Sequence, residues 1–259
     1  MTQYNILASM DDATVVTEYT PEKSTSEKYQ SEADLERELI QLLQRQGYEY
    51  LVFNSEDELI DNLRKQLESL NNYSFSDSEW DRFFNTILAN SNSGIVEKTR
   101  MIQRDNVQVL KRDDGTSKNI TLIDKKRPQN NKLQVINQYV NNEGKHDNRY
   151  DVTILVNGFP MVHLELKRRG VAIREAFNQI DRYQRESFWA GSGLYEYIQI
   201  FVISNGTHTK YYSNSTRSNR IAEVGNKKGS AKKTSNSFEF TSYWADGQNK
   251  GLRVAGTRL

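Results

Sequence analysis

Apolar residues recur at helical spacing in the first third of the chain and at every second position beyond it. In "SEADLERELIQLLQRQGYEYL", Leu35, Leu39, Leu42 and Leu43 fall on one helical face. Ser31 followed by Asp34 resembles a capping-box start with Asp in place of the usual Glu, and Gly47 suits the stop. "EDELIDNLRKQLESLN" and "SDSEWDRFFNTILAN" predict two further amphipathic helices, separated by the polar turn "NNYSFSDS". From about Val107 the period is two. "VQVL", "NITLID", "KLQVINQYV", "YDVTILV" and "MVHLELK" are short β-branched runs parted by "RDDGTSK", "NGFP" and similar turn residues. A helix is predicted over roughly 172–187. "YIQIFVIS" and "THTKYY", joined by Asn-Gly, then read as a hairpin. This order predicts an α/β fold, a mixed central β-sheet flanked by helices.

Residues 213–237 are rich in Ser, Asn, Gly and Lys, have little to bury, and read as a flexible basic loop. "FEFTSYWADGQNKG" regains aromatic residues and predicts a return to the body of the domain. The last nine residues, "GLRVAGTRL", carry neither pattern and read as a natural end or the scar of a truncation. No internal repeat is found.

Composition narrows the function classes. At 259 residues the chain can bury a sizeable core, and a net charge of +1 lacks the basicity of a general nucleic-acid coat, so a polyanion would have to meet a local patch. Absence of cysteine excludes disulfides and thiolate metal sites and fits a reducing compartment. No apolar run approaches the roughly 18–20 residues that span a bilayer, and the start lacks the pattern of a signal peptide. A cytoplasmic location and no membrane partner are expected.

The strand "MVHLELK" carries the candidate chemistry. Glu165 and Lys167 share one face of it, while Leu164 and Leu166 pack behind. Desolvating such groups is costly unless they are paired or hold a metal, and the strand alone leaves a buried salt bridge and a functional pair equally open. The other acid-x-Lys triplets, Asp124-x-Lys126 and Glu143-x-Lys145, lie in polar stretches where solvated charge explains them. "RYDVTILV" runs through "NGFP" into the Glu165 strand, so the two predict an antiparallel hairpin with Asp151 near the level of Glu165. A two- or four-residue loop would set Asp151 opposite Leu164 or Leu166. Only an odd loop or a bulge sets it opposite Glu165, and such an irregularity is expected. Two converging carboxylates beside a lysine suit phosphodiester hydrolysis with Mg²⁺, for which Mn²⁺ would substitute. Lys167 would orient or deprotonate the attacking water, or stabilise developing charge.

Asp151 with Glu165-Leu166-Lys167 resembles the D…ExK core of the PD-(D/E)xK nucleases. The wider run "NRYDVTILVNGFPMVHLELKRRG", then "AFNQIDRY", "VISNGTHTKYYS" and "FTSYWAD", is similar to the N-terminal endonuclease domain of the restriction (R, motor) subunit of type I restriction enzymes, of the enteric IC class. The resemblance covers most of the chain, and its triad is loose by itself while the combination is specific. It implies a restriction-endonuclease-like core with an added N-terminal helical part. Residues 1–30 would form a lead-in, 31–212 the endonuclease domain, 213–237 the loop, 238–250 the return and 251–259 a tail. Asp151 and Glu165 would be Mg²⁺ ligands, Lys167 the catalytic lysine, and Gln179 and Tyr183 the family's Q-x-x-x-Y element. The partners implied are double-stranded DNA and the methyltransferase (modification) and specificity subunits. ATP would act only in a motor part that this chain lacks, since "GNKKGSAKKT" is not a phosphate-binding loop.

Other residues stay open between two readings. Gln179 and Tyr183, at i and i+4, share a helix face and by themselves read as ordinary packing. Glu32 and Glu36 are candidates for an acid on the leading helix, although a solvated helix face explains either more cheaply. Arg168, Arg169, Arg174, Arg182 and Arg185 would follow phosphates or simply make a basic surface, with Arg182 nearest the Q-x-x-x-Y element. His163 shares the face of Glu165 but reads as a core or edge histidine, and His146 and His208 lie in polar surroundings. Lys227, Lys228, Lys232, Lys233 and Arg220 read as solvated loop charge. The leading function is an Mg²⁺-dependent endonuclease domain acting after a motor delivers DNA. The alternatives are a catalytically silent DNA-binding or docking module, and a self-contained nuclease for RNA or branched DNA.

Overall fold

A computed structural model describes residues 5–9, 15–18, 30–141, 148–188, 191–214, 238 and 241–245. Three sheets are present among them. Strands β1 (Asn5–Ser9) and β2 (Val15–Glu18) pair antiparallel within the segment expected to be a plain lead-in. Helix α1 (Glu32–Arg45) starts where the capping box predicts: Ser31 Oγ accepts from the Asp34 N–H while the Asp34 carboxylate accepts from Ser31 N–H. Strand β3 (Glu49–Leu51) follows, then α2 (Glu56–Asn71) over the residues predicted. The third predicted helix is shorter than its apolar pattern. It runs as α3 (Asp77–Phe83) and then opens into a π-helical turn, Phe84–Leu88, before α4 (Ile95–Gln103), which the periodicity did not signal.

Strands β4 (Val107–Lys111) and β5 (Ser117–Thr121) form a hairpin of their own rather than joining the central sheet. The central sheet comprises β6 (Leu133–Asn141), β7 (Asn148–Val156), β8 (Phe159–Leu166), β9 (Ile200–Ser204), β10 (Thr209–Ser213) and β11 (Ser242–Tyr243), with β3 at its far edge. The spatial order is β11-β10-β9-β8-β7-β6-β3, with the β8–β9 and β3–β6 pairs parallel and the rest antiparallel. Helix α5 (Ile173–Glu186) is the crossover between the parallel strands β8 and β9. The predicted Asn205-Gly206 hairpin joins β9 to β10, and β11 is the aromatic return after the loop. Residues 215–237 and the last nine residues lie outside the described ones.

Two apolar layers fix the faces of the sheet. Leu35, Leu39 and Leu43 of α1 pack on Val152, Leu164 and Leu166 on one side. Leu63 and Phe159, with Ile180 and Tyr183 of α5, belong to the larger core on the other. Alternation along β8 therefore sends Leu164 and Leu166 toward α1, and His163 and Glu165 away from it. No helix among the described residues is long and apolar enough to cross a membrane.

Candidate active site

The β7–β8 turn is the two-residue Asn157-Gly158, both with positive φ (51° and 84°), the geometry that suits a tight hairpin. With that loop alone, Asp151 would fall opposite Leu164. The register shifts instead between Ile154 and Leu155: Leu155 pairs with Pro160 and Ile154 with Val162, so Met161 is the extra residue of a β-bulge. The expected irregularity is thus present. The paired ladder ends at Val152–Leu164, and one step further Asp151 and Glu165 come level. There the Asp151 side chain replaces the backbone as acceptor, with Leu166 N–H donating to Oδ2 at 2.8 Å. On its other side β7 also skips a rung. The β6–β7 pairing passes from Asn137–Val152 to Tyr139–Tyr150, and the residue skipped on β6, Gln138, has φ 53°.

The two carboxyls are close enough to shift each other's protonation, and Lys167 Nζ donates to Glu165 Oε1 at 3.0 Å. Glu165 is fully buried. Burial, then the neighbouring Glu165 charge, pushes Asp151 up to about 7; burial pushes Glu165 up to about 7, with Lys167 pulling the other way. Burial pulls Lys167 down, but the Glu165, Asp151 and Glu32 carboxylates outweigh it and hold its ammonium above the usual lysine range. The arrangement is a near-neutral carboxyl pair with one fixed cation. It can bind a hard cation or share a proton.

The leading helix turns Glu32 and Glu36 toward this centre, Glu32 half-exposed at its edge and Glu36 buried, against the solvated face expected. Glu32 Oε2 lies 3.9 Å from Lys167 Nζ, and its Oε1 accepts from Arg168 N–H at 3.2 Å. Glu36 is buried and accepts from the side-chain amides of Asn137 and Gln138. Desolvation raises its pKa and the Asp151 charge adds to that. Asn137 and Gln138 are site residues that periodicity passed over. Their signal was two amides interrupting an apolar strand, as Glu165 and Lys167 interrupt theirs.

From α5, the Gln179 amide donates to Tyr183 Oη at 2.5 Å, and Tyr183 Oη donates to the Arg149 carbonyl at 2.8 Å. Burial, then the charge of Glu165, raises the Tyr183 pKa, so this residue faces the carboxyl pair as a neutral phenol. Arg182 is exposed and stacks over the Tyr183 ring at 5.4 Å. Arg168 and Arg174 are also exposed, Arg169 is half-buried, and Arg174 lies 4.7 Å over Phe238. The Arg185 side chain, His146, Arg220 and the loop lysines fall outside the described residues. His208 is exposed.

His163 is buried, as read, among Tyr150, Tyr183, Phe188 and Phe201, and burial holds it neutral by pulling its pKa down to about 4. Asp124 tops a turn, accepting from the Lys126 and Arg127 N–H groups, which accounts for that triplet, while Glu143 and Lys145 lie outside the described residues.

A family model described as Type I restriction enzyme R protein N terminus matches residues 29–220. The chain is 48% identical over 244 residues to the Type I restriction enzyme EcoprrI endonuclease subunit of Escherichia coli, covering 94% of this chain and 73% of that protein. It is 42% identical over 191 residues to the SsaAORF53P endonuclease subunit of Staphylococcus saprophyticus, covering 72% of this chain and 20% of that one. The SauMSSORF170P subunit of Staphylococcus aureus is 41% identical over the same length, again with 20% of its length covered. The match therefore spans about three quarters of the E. coli relative and a fifth of the staphylococcal ones.

Proposed function

The chain belongs to the family of type I restriction enzyme R protein N termini, and from that premise we propose that it acts as an Mg²⁺-dependent DNA endonuclease domain. The observation that carries the proposal is the meeting of Asp151 and Glu165 at the open end of the β7–β8 ladder, beside the Lys167 ammonium. The donor set suits the ion. Mg²⁺ takes one or two carboxylates and completes its shell with water and phosphate oxygens. Among the described residues no group of three or more His, Asp or Glu that could hold a metal ion is found, at this centre or elsewhere, so the chain would supply the two carboxylates and leave the rest of the shell to water and phosphate. Beyond the lone pair that Lys167 engages, the Glu165 carboxylate keeps lone pairs that can face the ion. When bound, the ion would polarise the scissile phosphate and lower the pKa of a coordinated water.

The residues of the chain divide the remaining work. Asp151 and Glu165 hold the ion in their ionised forms. Lys167 acts as a cation that orients the attacking water and stabilises charge on the phosphoryl oxygens; the base role is disfavoured by the three carboxylates that keep it protonated. Tyr183 closes the site from α5 as a neutral phenol whose proton goes to the Arg149 carbonyl, and Gln179, half-exposed beside it, reaches toward DNA. Arg182 follows the phosphate backbone without reading sequence. In the assembled enzyme the substrate is double-stranded DNA, delivered in the cytoplasm by an ATP-driven motor part, with modification and specificity subunits as partners.

Lys167→Ala, introduced into the assembled enzyme, is expected to abolish cleavage while fold and DNA binding persist. A Lys167→Ala enzyme that still cuts would remove the catalytic assignment.

A further inference from the structure

Two buried polar atoms face each other at the floor of the site and have no other partner. His163 Nε2 and Glu165 Oε2 are 3.5 Å apart, both side chains are fully buried, and neither atom has a hydrogen-bond partner among the described residues. Buried polar atoms are rarely left so, and here each is the group that would satisfy the other. Closing the gap to a bond takes a carboxylate shift of about half an ångström.

The far edge of the ring has partners of its own. His163 Nδ1 lies 3.3 Å from Thr153 Oγ1, which lies 3.5 Å from Tyr195 Oη. Both contacts allow either direction; the one that gives Glu165 a donor has Tyr195 donating to Thr153 and Thr153 donating into Nδ1, which leaves the proton of the neutral ring on Nε2.

We propose that His163 is a positioning residue for Glu165: its Nε2–H fixes the carboxylate so that the lone pairs it leaves free face Asp151 and the incoming cation. A carboxylate offers about four lone-pair sites, and Lys167 and His163 take two of them. Hydrogen-bonded partners behind metal-ligating side chains orient them in this way. The inference rests on the metal-site reading above, and its test separates the two.

Calorimetric Mn²⁺ titration, with a short DNA duplex present, is carried out on the parent chain, His163→Phe and His163→Gln. Phe suits the surrounding aromatic rings but removes the donor, whereas Gln places an amide N–H near the position of Nε2. His163→Phe is expected to stay folded and bind Mn²⁺ about 10–100-fold more weakly, the usual loss for such a partner. His163→Gln is expected to recover most of the affinity. Parent-like affinity in His163→Phe, or equal losses in both variants, would overturn the inference. If His163→Phe does not fold, Thr153→Val tests the same chain with the ring kept, and unchanged affinity there overturns it. A parent that binds no Mn²⁺ would overturn the metal-site reading instead, and this one with it.

Discussion

Asp151 and Glu165 hold their protons to about 7, against ordinary values of 3.8 and 4.5, because both are buried and Asp151 in addition faces the Glu165 charge. A carboxyl whose pKa is higher folded than unfolded favours the folded state while protonated. Its contribution is complete below the unfolded value and is lost as pH rises through the folded one. The stability of the metal-free chain should therefore fall between about pH 4 and 7 through this pair. His163 acts in the opposite sense over part of that range, since its depressed pKa favours folding above about 6.5 and is lost as pH falls toward 4. Asp151→Asn isolates the carboxyl contribution, because the amide oxygen can keep the bond from Leu166 N–H. The metal-free variant should be more stable than the parent at pH 8, by on the order of 1–3 kcal/mol. The gap should close toward pH 4. Thermal melts of both proteins across this range check it, and a pH-independent gap would mean that Asp151 is not titrating there.

At the scale of elements, the β7–β8 hairpin carries the site, and its turn is pressed against α2. Gly158 has φ 84°, and a Cβ there would stand 2.6 Å from Leu63 Cα. Gly170, in the loop after β8, has φ 90° but open space around it. Gly170→Ala should cost only the left-handed backbone penalty, about 1–2 kcal/mol. Gly158→Ala should cost clearly more, since the α2 backbone has to retreat. Denaturant midpoints compare them, and equal losses would mean that α2 yields freely. These elements also mark what periodicity could and could not reveal. Parity along β7 and β8 was enough to require a bulge, because a two-residue loop and converging carboxylates are incompatible without one. It could not locate the bulge at Met161, which is chemically an ordinary strand residue. Gln138 is the harder case, since nothing in "VINQYV" announces a left-handed residue in mid-strand. Helix α4 was missed because it is short and a charged residue interrupts its buried face, where Ile102 and Met101 meet the core. It buries Lys98, whose Nζ meets Glu196 at 2.5 Å and the Gly193 carbonyl at 2.9 Å, so a long-range ion pair breaks the apolar stripe.

Across the whole molecule, the catalytic candidates were legible where one strand pattern carried them and opaque where partners arrive from afar. Glu36 looks solvated in its own helix; it is buried only because Asn137 and Gln138, about a hundred positions away, come to meet it. The same convergence makes the site a thermodynamic linkage point between folding, protons and metal. Ligand carboxylates must be deprotonated to bind, so metal affinity should grow through the pH range in which the Asp151–Glu165 pair gives up its protons. Metal binding to the folded state stabilises it by about 2.7 kcal/mol at a hundred times Kd. Without metal at pH 8, Asp151→Asn should melt above the parent. With saturating Mn²⁺ the order should reverse, because the variant loses a ligand and the parent's repulsion is relieved by the ion. Melting curves of both proteins with and without Mn²⁺ at pH 8, and again at pH 5.5 where the pair stays largely protonated, test this crossing. An Mn²⁺ shift of equal size in both proteins would mean that the ion binds elsewhere on the chain. No shift in the parent at either pH would mean that the pair is a proton site rather than a metal site.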